Sequence, residues 1–178
     1  YYYKADGVME AYIRIGNESV IAPDYVLNQL ILKGMNRTYD ALTSEYDFKD
    51  YAFSKLRERY KVWTGNSMED KLFDSFDIRD NHGKLTNAGA LLADDSPVRH
   101  SRLFCTRWNG LDKSGGIVDA LDSAEHSGSL IILLNEGVGF VKRNMKTRWK
   151  KTANSRIEMP DYCERSVFEA LVNALIHR

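Results

Sequence analysis

Residues 102–108, Arg-Leu-Phe-Cys-Thr-Arg-Trp, alternate between two faces with a period of two, and Asn109-Gly110 ends the run. Beyond a weak strand or loop from Gly116 to Glu125, Ser127 to Met145 changes period. Leu130, Leu134, Val138, Val141 and Met145 fall on one stripe of a 3.6-residue repeat, the strongest helix pattern in the chain. A strand beside a helix, without regular βαβ alternation, predicts an α+β fold that is helix-rich, with short antiparallel hairpin or sheet pieces.

Upstream, Tyr1-Tyr2-Tyr3-Lys4 and Val8 to Ile15 flank Asp6-Gly7, a strong two-residue turn signal, and read as a hairpin that Gly16-Asn17 ends. Tyr12 and Arg14 would share one face, Ile13 and Ile15 the other. From Pro23 to about Ala93 the pattern reads as helical. Pro23 and Asp24 open a helix closed by Gly34, with Val26, Leu27, Leu30 and Ile31 as its apolar positions. Lys49 to Trp63 is a second helix with Phe53, Leu56 and Tyr60 as its stripe, stopped by Thr64-Gly65-Asn66. Ser67 and Asp70 form a near capping box for a short third helix through Phe73. Asn81-His82-Gly83 is a turn, and Thr86 caps a helix from Asn87 to Leu92.

Downstream, Lys142 to Arg156 is polar and basic. Apolar residues return with Ile157 and Met159 before Pro160, and a last helix starts at Asp161 or Tyr162 and runs to His177. No repeat is present.

Of 178 residues, 43% are hydrophobic and 28% charged, with 12 Gly and 3 Pro, which excludes a disordered or collagen-like chain. Lys+Arg and Asp+Glu are both 25, so net charge offers no argument for nucleic acid and only local distribution can. Cys105 and Cys163 lie far apart without a Cys-x-x-Cys pair, which points to a reducing, cytoplasmic compartment. The longest aliphatic run is Leu130 to Leu134, so no membrane partner is expected. The chain opens without methionine or signal peptide and stops at Ala174-Leu175-Ile176-His177-Arg178 inside a helical pattern. An excised fragment is the expectation.

The final helix carries the sharpest chemical pattern. Glu169, Asn173 and His177 fall at i, i+4 and i+8 on one face, with Phe168, Leu171, Val172, Leu175 and Ile176 on the other. A carboxylate one turn from a carboxamide can orient a water and offer oxygen to Mg²⁺. An ordinary polar face of an amphipathic helix fits the same spacing.

Glu169-x-x-x-Asn173-Ala174-x-x-His177-Arg178 resembles the first nucleotide-binding box of the GHKL ATPases. Two further stretches widen the likeness. Glu10 to Ser19 resembles the closing strand of an Alba-like domain. Gly83-Lys84-Leu85-Thr86-Asn87-Ala88-Gly89-Ala90-Leu91-Leu92 is similar to the Gly-x-Leu-Thr-Asn-Ala-Gly-x-Leu-Leu segment of bacterial proteins that join a Schlafen-type, Alba-like DNA-binding domain to a divergent GHKL-like module. Such proteins are described as transcriptional regulators or RecG-like helicase-related proteins. The resemblance implies that Glu169 is the general base, that Asn173 is the Mg²⁺ ligand, and that Asn173 and His177 belong to the nucleotide site of a longer parent. The remaining ATP-site boxes would follow Arg178, so this chain itself is expected to bind neither ATP nor Mg²⁺ and to be no enzyme. It implies residues 1–22 as the closing hairpin of the Alba-like domain, 23–98 as a helical connector, 99–160 as a mixed subdomain and 161–178 as the first helix of a truncated ATPase module.

The second pattern is charge. Lys142, Arg143, Lys146, Arg148, Lys150, Lys151 and Arg156 surround Trp149 with no Asp or Glu between Val141 and Ile157. Phosphates attract such clusters and an indole stacks on bases, which makes DNA the candidate partner, with a second copy of the chain as another. A solvated helix C-terminus accounts for part of the same charge. No Gly-x-x-x-x-Gly-Lys-Ser/Thr occurs, Ser114-Gly115-Gly116 is more simply a turn, and the histidines lack zinc spacing. The function expected is a connector in a DNA-binding transcriptional regulator. The alternatives are part of a nucleic-acid-dependent ATPase and a protein-interaction module.

Overall fold

A computed structural model describes residues 2–5, 8–110 and 119–176, with side chains from Glu10 onward. The turn read at Asp6-Gly7, the turn at Ser114 to Gly116, and His177 with Arg178 lie outside the described residues. The fold is α+β, with helices and short antiparallel strand pairs.

β1 (Tyr2–Ala5), β2 (Val8–Ile15) and β3 (Glu18–Ile21) form an antiparallel sheet in that order, with Tyr3 opposite Glu10 and Ile13 opposite Val20. Gly16-Asn17 therefore does more than end a strand. Gly16 sits at φ 61°, a conformation glycine adopts without a Cβ penalty, and folds the chain straight into β3. α1 (Asp24–Gly34) opens on Pro23, whose carbonyl accepts from Val26 and Leu27, and none of its residues is buried.

The stretch read as wholly helical contains two strands. β4 (Thr43–Asp47) pairs with β5 (Lys84–Thr86), and the Ser44 hydroxyl donates to the Leu85 carbonyl at 2.8 Å. Polar side chains bonded across a ladder are invisible to an apolar periodicity. The helix expected from Lys49 is also shorter. A 3₁₀ turn at Phe48–Asp50 precedes α2 (Ser54–Thr64), because the Asp94 carboxylate receives the N–H groups of Ser54 at 2.8 Å and Lys55 at 3.0 Å and fixes the helix start there. Gly65, at φ 74°, stops α2 where expected. α3 (Lys71–Ser75) starts without the capping box read from Ser67 and Asp70, since Asp70 pairs with Arg57 at 2.7 Å instead. α4 (Asn87–Leu92) is capped as read, Thr86 Oγ1 accepting from the Gly89 N–H at 3.0 Å.

β6 (Arg102–Trp108) pairs with β7 (Ala120–Ser127), Phe104 opposite Glu125. Ser127 is therefore the end of a strand rather than the start of a helix. Gly128 at φ 123° turns the chain, and Ser129 caps α5 (Leu130–Asn144). α5 packs on this strand pair and against α6 (Glu164–Ile176); a Cβ on its Gly137 would lie 3.0 Å from Leu171 and 3.1 Å from Leu103. Between α5 and α6 the basic stretch folds into β8 (Thr147–Lys151) and β9 (Arg156–Pro160), a hairpin the sequence reading did not resolve.

The core gathers Phe53, Met68, Phe73, Ile78, Leu85, Ala90 and Ala93, with Phe48, Leu56 and Tyr60 partly buried against it. Phe48, Phe53 and Phe73 pack with ring centroids 5.0–5.3 Å apart. α4 meets this core through Gly89, where a Cβ would stand 2.0 Å from the Ile78 carbonyl oxygen. That neighbour is backbone and cannot swing away. Gly89→Ala is expected to cost about 3 kcal/mol or more, by the overpacking mechanism, and a urea melt reads it as a lower midpoint.

Asp94 gives a pH-dependent prediction. Burial pushes its carboxyl up, but hydrogen bonds from the Ser54 hydroxyl and the Lys55 and Ser54 N–H groups outweigh this and hold it below the usual carboxylate range. A depressed folded pKa means that the stabilisation is fully present above the ordinary value of 3.8 and is lost as pH falls below it. Asp94→Ala should lower stability at neutral pH by about 2 kcal/mol, as loss of a strong helix cap does. Thermal melts from pH 6 down to 2.5 should show the wild type converging on the variant in the acid range.

Candidate nucleic-acid interface

The cations of the basic stretch divide by local structure. Lys142 and Arg143 lie in the last turn of α5, where cations complement the helix dipole, so the helix-end account explains these two. Lys142 also meets Glu164 at 3.0 Å and Arg143 meets Asp122 at 3.2 Å. A hydrogen bond from Asn144, together with Arg143, keeps Asp122 below its ordinary carboxylate range and so charged beside that guanidinium.

The chain then leaves the helix as an antiparallel ribbon. Its base is closed by the Asp161 N–H donating to the Lys146 carbonyl at 3.0 Å and the Lys146 N–H donating to Asp161 Oδ2 at 3.2 Å. At its tip the Thr152 N–H donates to the Ser155 carbonyl at 2.8 Å and the Ser155 N–H to Thr152 Oγ1 at 3.1 Å. The register sets Thr147 opposite Pro160, Arg148 opposite Met159, Trp149 opposite Glu158, Lys150 opposite Ile157 and Lys151 opposite Arg156. Every residue of both strands is exposed, Trp149 to 54%. Arg156 is held by Glu158 at 2.6 Å. Among the described residues, Lys146, Arg148, Lys150 and Lys151 have no carboxylate within ion-pair distance.

The other expected site residues stand on α6. Glu169 and Asn173 are both exposed, one turn apart, as their spacing implies. Arg165 Nε donates to Glu169 Oε1 at 2.9 Å, so the carboxylate is occupied along its own helix. The expected apolar side divides: Leu175 is buried, Phe168 meets the Trp63 ring at 5.7 Å, and Ile176 is 60% exposed. No group of three or more His, Cys, Asp or Glu among the described residues could hold a metal ion. Ile176 and Leu175 instead border a cleft of about 800 Å³ shared with Leu91, Val98, His100 and Leu130. Glu169 and Asn173 do not line it. The sequence reading missed this cleft because its walls come from separated segments that share no motif.

The two thiols also differ. Cys163 is exposed just before α6, and hydrogen bonds from the Ser166 and Arg165 N–H groups lower its pKa, whereas burial pushes the Cys105 thiol up. Cys163 should therefore react with a disulfide reagent well before Cys105 at pH 7. Cys163→Ser should remove the fast phase of a thiol titration and leave the slow one.

No family model matches the chain. No curated protein matches it. Among solved structures it is similar to the DIP2311 protein from Corynebacterium diphtheriae, a structural-genomics target, at 16% identity and a TM-score of 0.57 over 97% of this chain. The chain spans 35% of the length of that protein. At this identity the likeness is one of fold. No helix among the described residues is long and apolar enough to cross a membrane.

Proposed function

We propose that this chain is the connector region of a cytoplasmic DNA-binding regulator, set between an Alba-like domain and a GHKL-like ATPase module, and that it contacts DNA through the β8–β9 ribbon. The observation that supports this is the set of four cations on or at the base of that ribbon, Lys146, Arg148, Lys150 and Lys151, with no carboxylate partner among the described residues. Cations already neutralised by a carboxylate, as Lys142, Arg143 and Arg156 are, offer less to a phosphate. These four are solvated and free, so they exchange water and counterions for phosphate oxygens at little cost to the fold.

Salt dependence tests the reading. Each phosphate neutralised releases counterions, with a log–log slope of roughly −0.9 per contact, so three or four contacts give a slope of roughly −3. Gel retardation of a duplex of arbitrary sequence between 20 and 200 mM salt should return that slope. Replacing the four cations by Ala should flatten it while the melting temperature stays unchanged. No retention at 20 mM salt, or an unaltered slope in the variant, overturns the reading.

A further inference from the structure

The two faces of the ribbon differ in chemistry, and the difference names the form of nucleic acid that fits. Side chains directly opposite in an antiparallel pair share a face, and neighbours along a strand alternate. One face therefore carries Arg148 and Lys150 from β8 with Met159 and Ile157 from β9. It holds no carboxylate, its two cations are unpaired among the described residues, and its two apolar side chains are 43% and 55% exposed. The other face carries Trp149 and Lys151 with Glu158 and Arg156, and the last two are spent on each other.

Resting on the reading above, we infer that the Arg148, Lys150, Ile157, Met159 face is a duplex-reading surface that enters the major groove of B-form DNA. Three properties of this face fit that groove. The first is size. Paired strands lie about 4.8 Å apart, and with side chains such a ribbon fits a groove about 12 Å wide, whereas the minor groove at about 6 Å would have to be forced open. The second is chemistry. Arginine and lysine meet the O6 and N7 acceptors of guanine, and exposed aliphatic groups meet the thymine methyl; the cations line the β8 side of this face and the apolar side chains the β9 side, so each cross-strand pair sets one kind beside the other. The third is exclusion. A single strand stacked on Trp149 would lie on the face where Lys151 is the one unpaired cation among the described residues, against two on the Arg148, Lys150 face. Duplex RNA is excluded by its deep, narrow major groove, which side chains do not reach.

The experiment compares one mixed-sequence duplex DNA, the duplex RNA of the same sequence and one single DNA strand, at 50 mM salt, by fluorescence anisotropy. Duplex DNA should bind at least tenfold more tightly than duplex RNA. Methyl green, a major-groove ligand, should displace the protein, and netropsin, a minor-groove ligand, should not. Arg148→Ala with Lys150→Ala should weaken duplex binding at least tenfold, and Ile157→Ser with Met159→Ser should weaken it several-fold without changing the salt slope. Uracil in place of thymine in the DNA should reproduce the second loss in the wild type. Circular dichroism confirms that each variant stays folded. Equal affinity for the two duplexes, displacement by netropsin, or a greater loss from Trp149→Ala than from the Arg148, Lys150 pair overturns the major-groove assignment while leaving the ribbon a nucleic-acid contact. Absence of binding to all three nucleic acids at 20 mM salt overturns the proposed function itself.

Discussion

Phe73 is wholly buried, and the rest of the molecule is arranged around keeping it so. Its ring packs against Phe48 and Phe53, which come from the segment between β4 and α2. The Arg57 guanidinium lies 4.7 Å from the Phe73 ring centre, and that of Arg79 lies 4.7 Å from the Phe48 ring centre. Each arginine is then tied to a carboxylate on the short helix that carries Phe73 or on its cap, Arg57 to Asp70 and Arg79 to Asp74. These ion pairs are partly exposed and contribute little by themselves. Their effect is to hold the arginine stems over the aromatic rings, where they keep water from the cluster's edge.

From that cluster the constraint passes along the backbone to the second half of the chain. The Ile78 carbonyl receives the Thr86 N–H at 3.1 Å and meets Gly89 too closely for any side chain there, which sets α4 against the core. The segment after α4 supplies Asp94 to start α2. The Leu92 carbonyl receives the Ser129 hydroxyl at 3.3 Å, and the Ser101 carbonyl receives the Gly128 N–H at 3.1 Å, so α5 begins at a point fixed by α4 and β6. α6 packs back on α5 at Gly137, where the absence of a side chain lets Leu171 and Leu103 approach. The ribbon leaves from the end of α5 and returns to the start of α6, and is aimed by both without being buried by either.

The elements legible in the sequence are those in which one local signal was sufficient. Thr86 before Asn87 to Leu92, Gly65 after α2 and the alternation in Arg102 to Trp108 each reappear where they were read. Three of the misreadings share one physical cause, a partner remote in sequence. Asp94 lies 40 residues from the Ser54 N–H it accepts, so nothing near Lys49 shows where α2 begins. Thr43 to Asp47 lacks an apolar stripe because its ladder partner is β5, with Ser44 bonding 41 residues away. Ser127 precedes a helical run and reads as its first residue, yet its pairing with Arg102 keeps it in a strand, and Ser129 caps the helix. For the candidate site, the composition of 142–156 was plain, but its division into helix end and ribbon was not. Alternating cations carry no apolar period, and the hairpin closes through Thr152 and Ser155, a weaker turn signal than Asn-Gly.

That division changes what the net charge means. With 25 cations against 25 anions, the chain as a whole has no field to draw a polyanion. Exposed charges separated by more than about 8–10 Å are nevertheless screened from one another at physiological salt, so the relevant balance is the local one. Near the ribbon the anions are Asp122, Glu158, Asp161 and Glu164. Asp122 is taken by Arg143 and Asn144, Glu158 by Arg156, Glu164 by Lys142, and Asp161 accepts a backbone N–H at the ribbon's base. Each neighbouring carboxylate thus has a donor other than the side chains of the four ribbon cations. The cations of the helix end act as a buffer between the acidic residues of β7 and α6 and the strand that projects beyond them. A neutral protein presents a positive edge in this way: the excess is local, and it is placed where the backbone holds it away from the charges that balance it elsewhere.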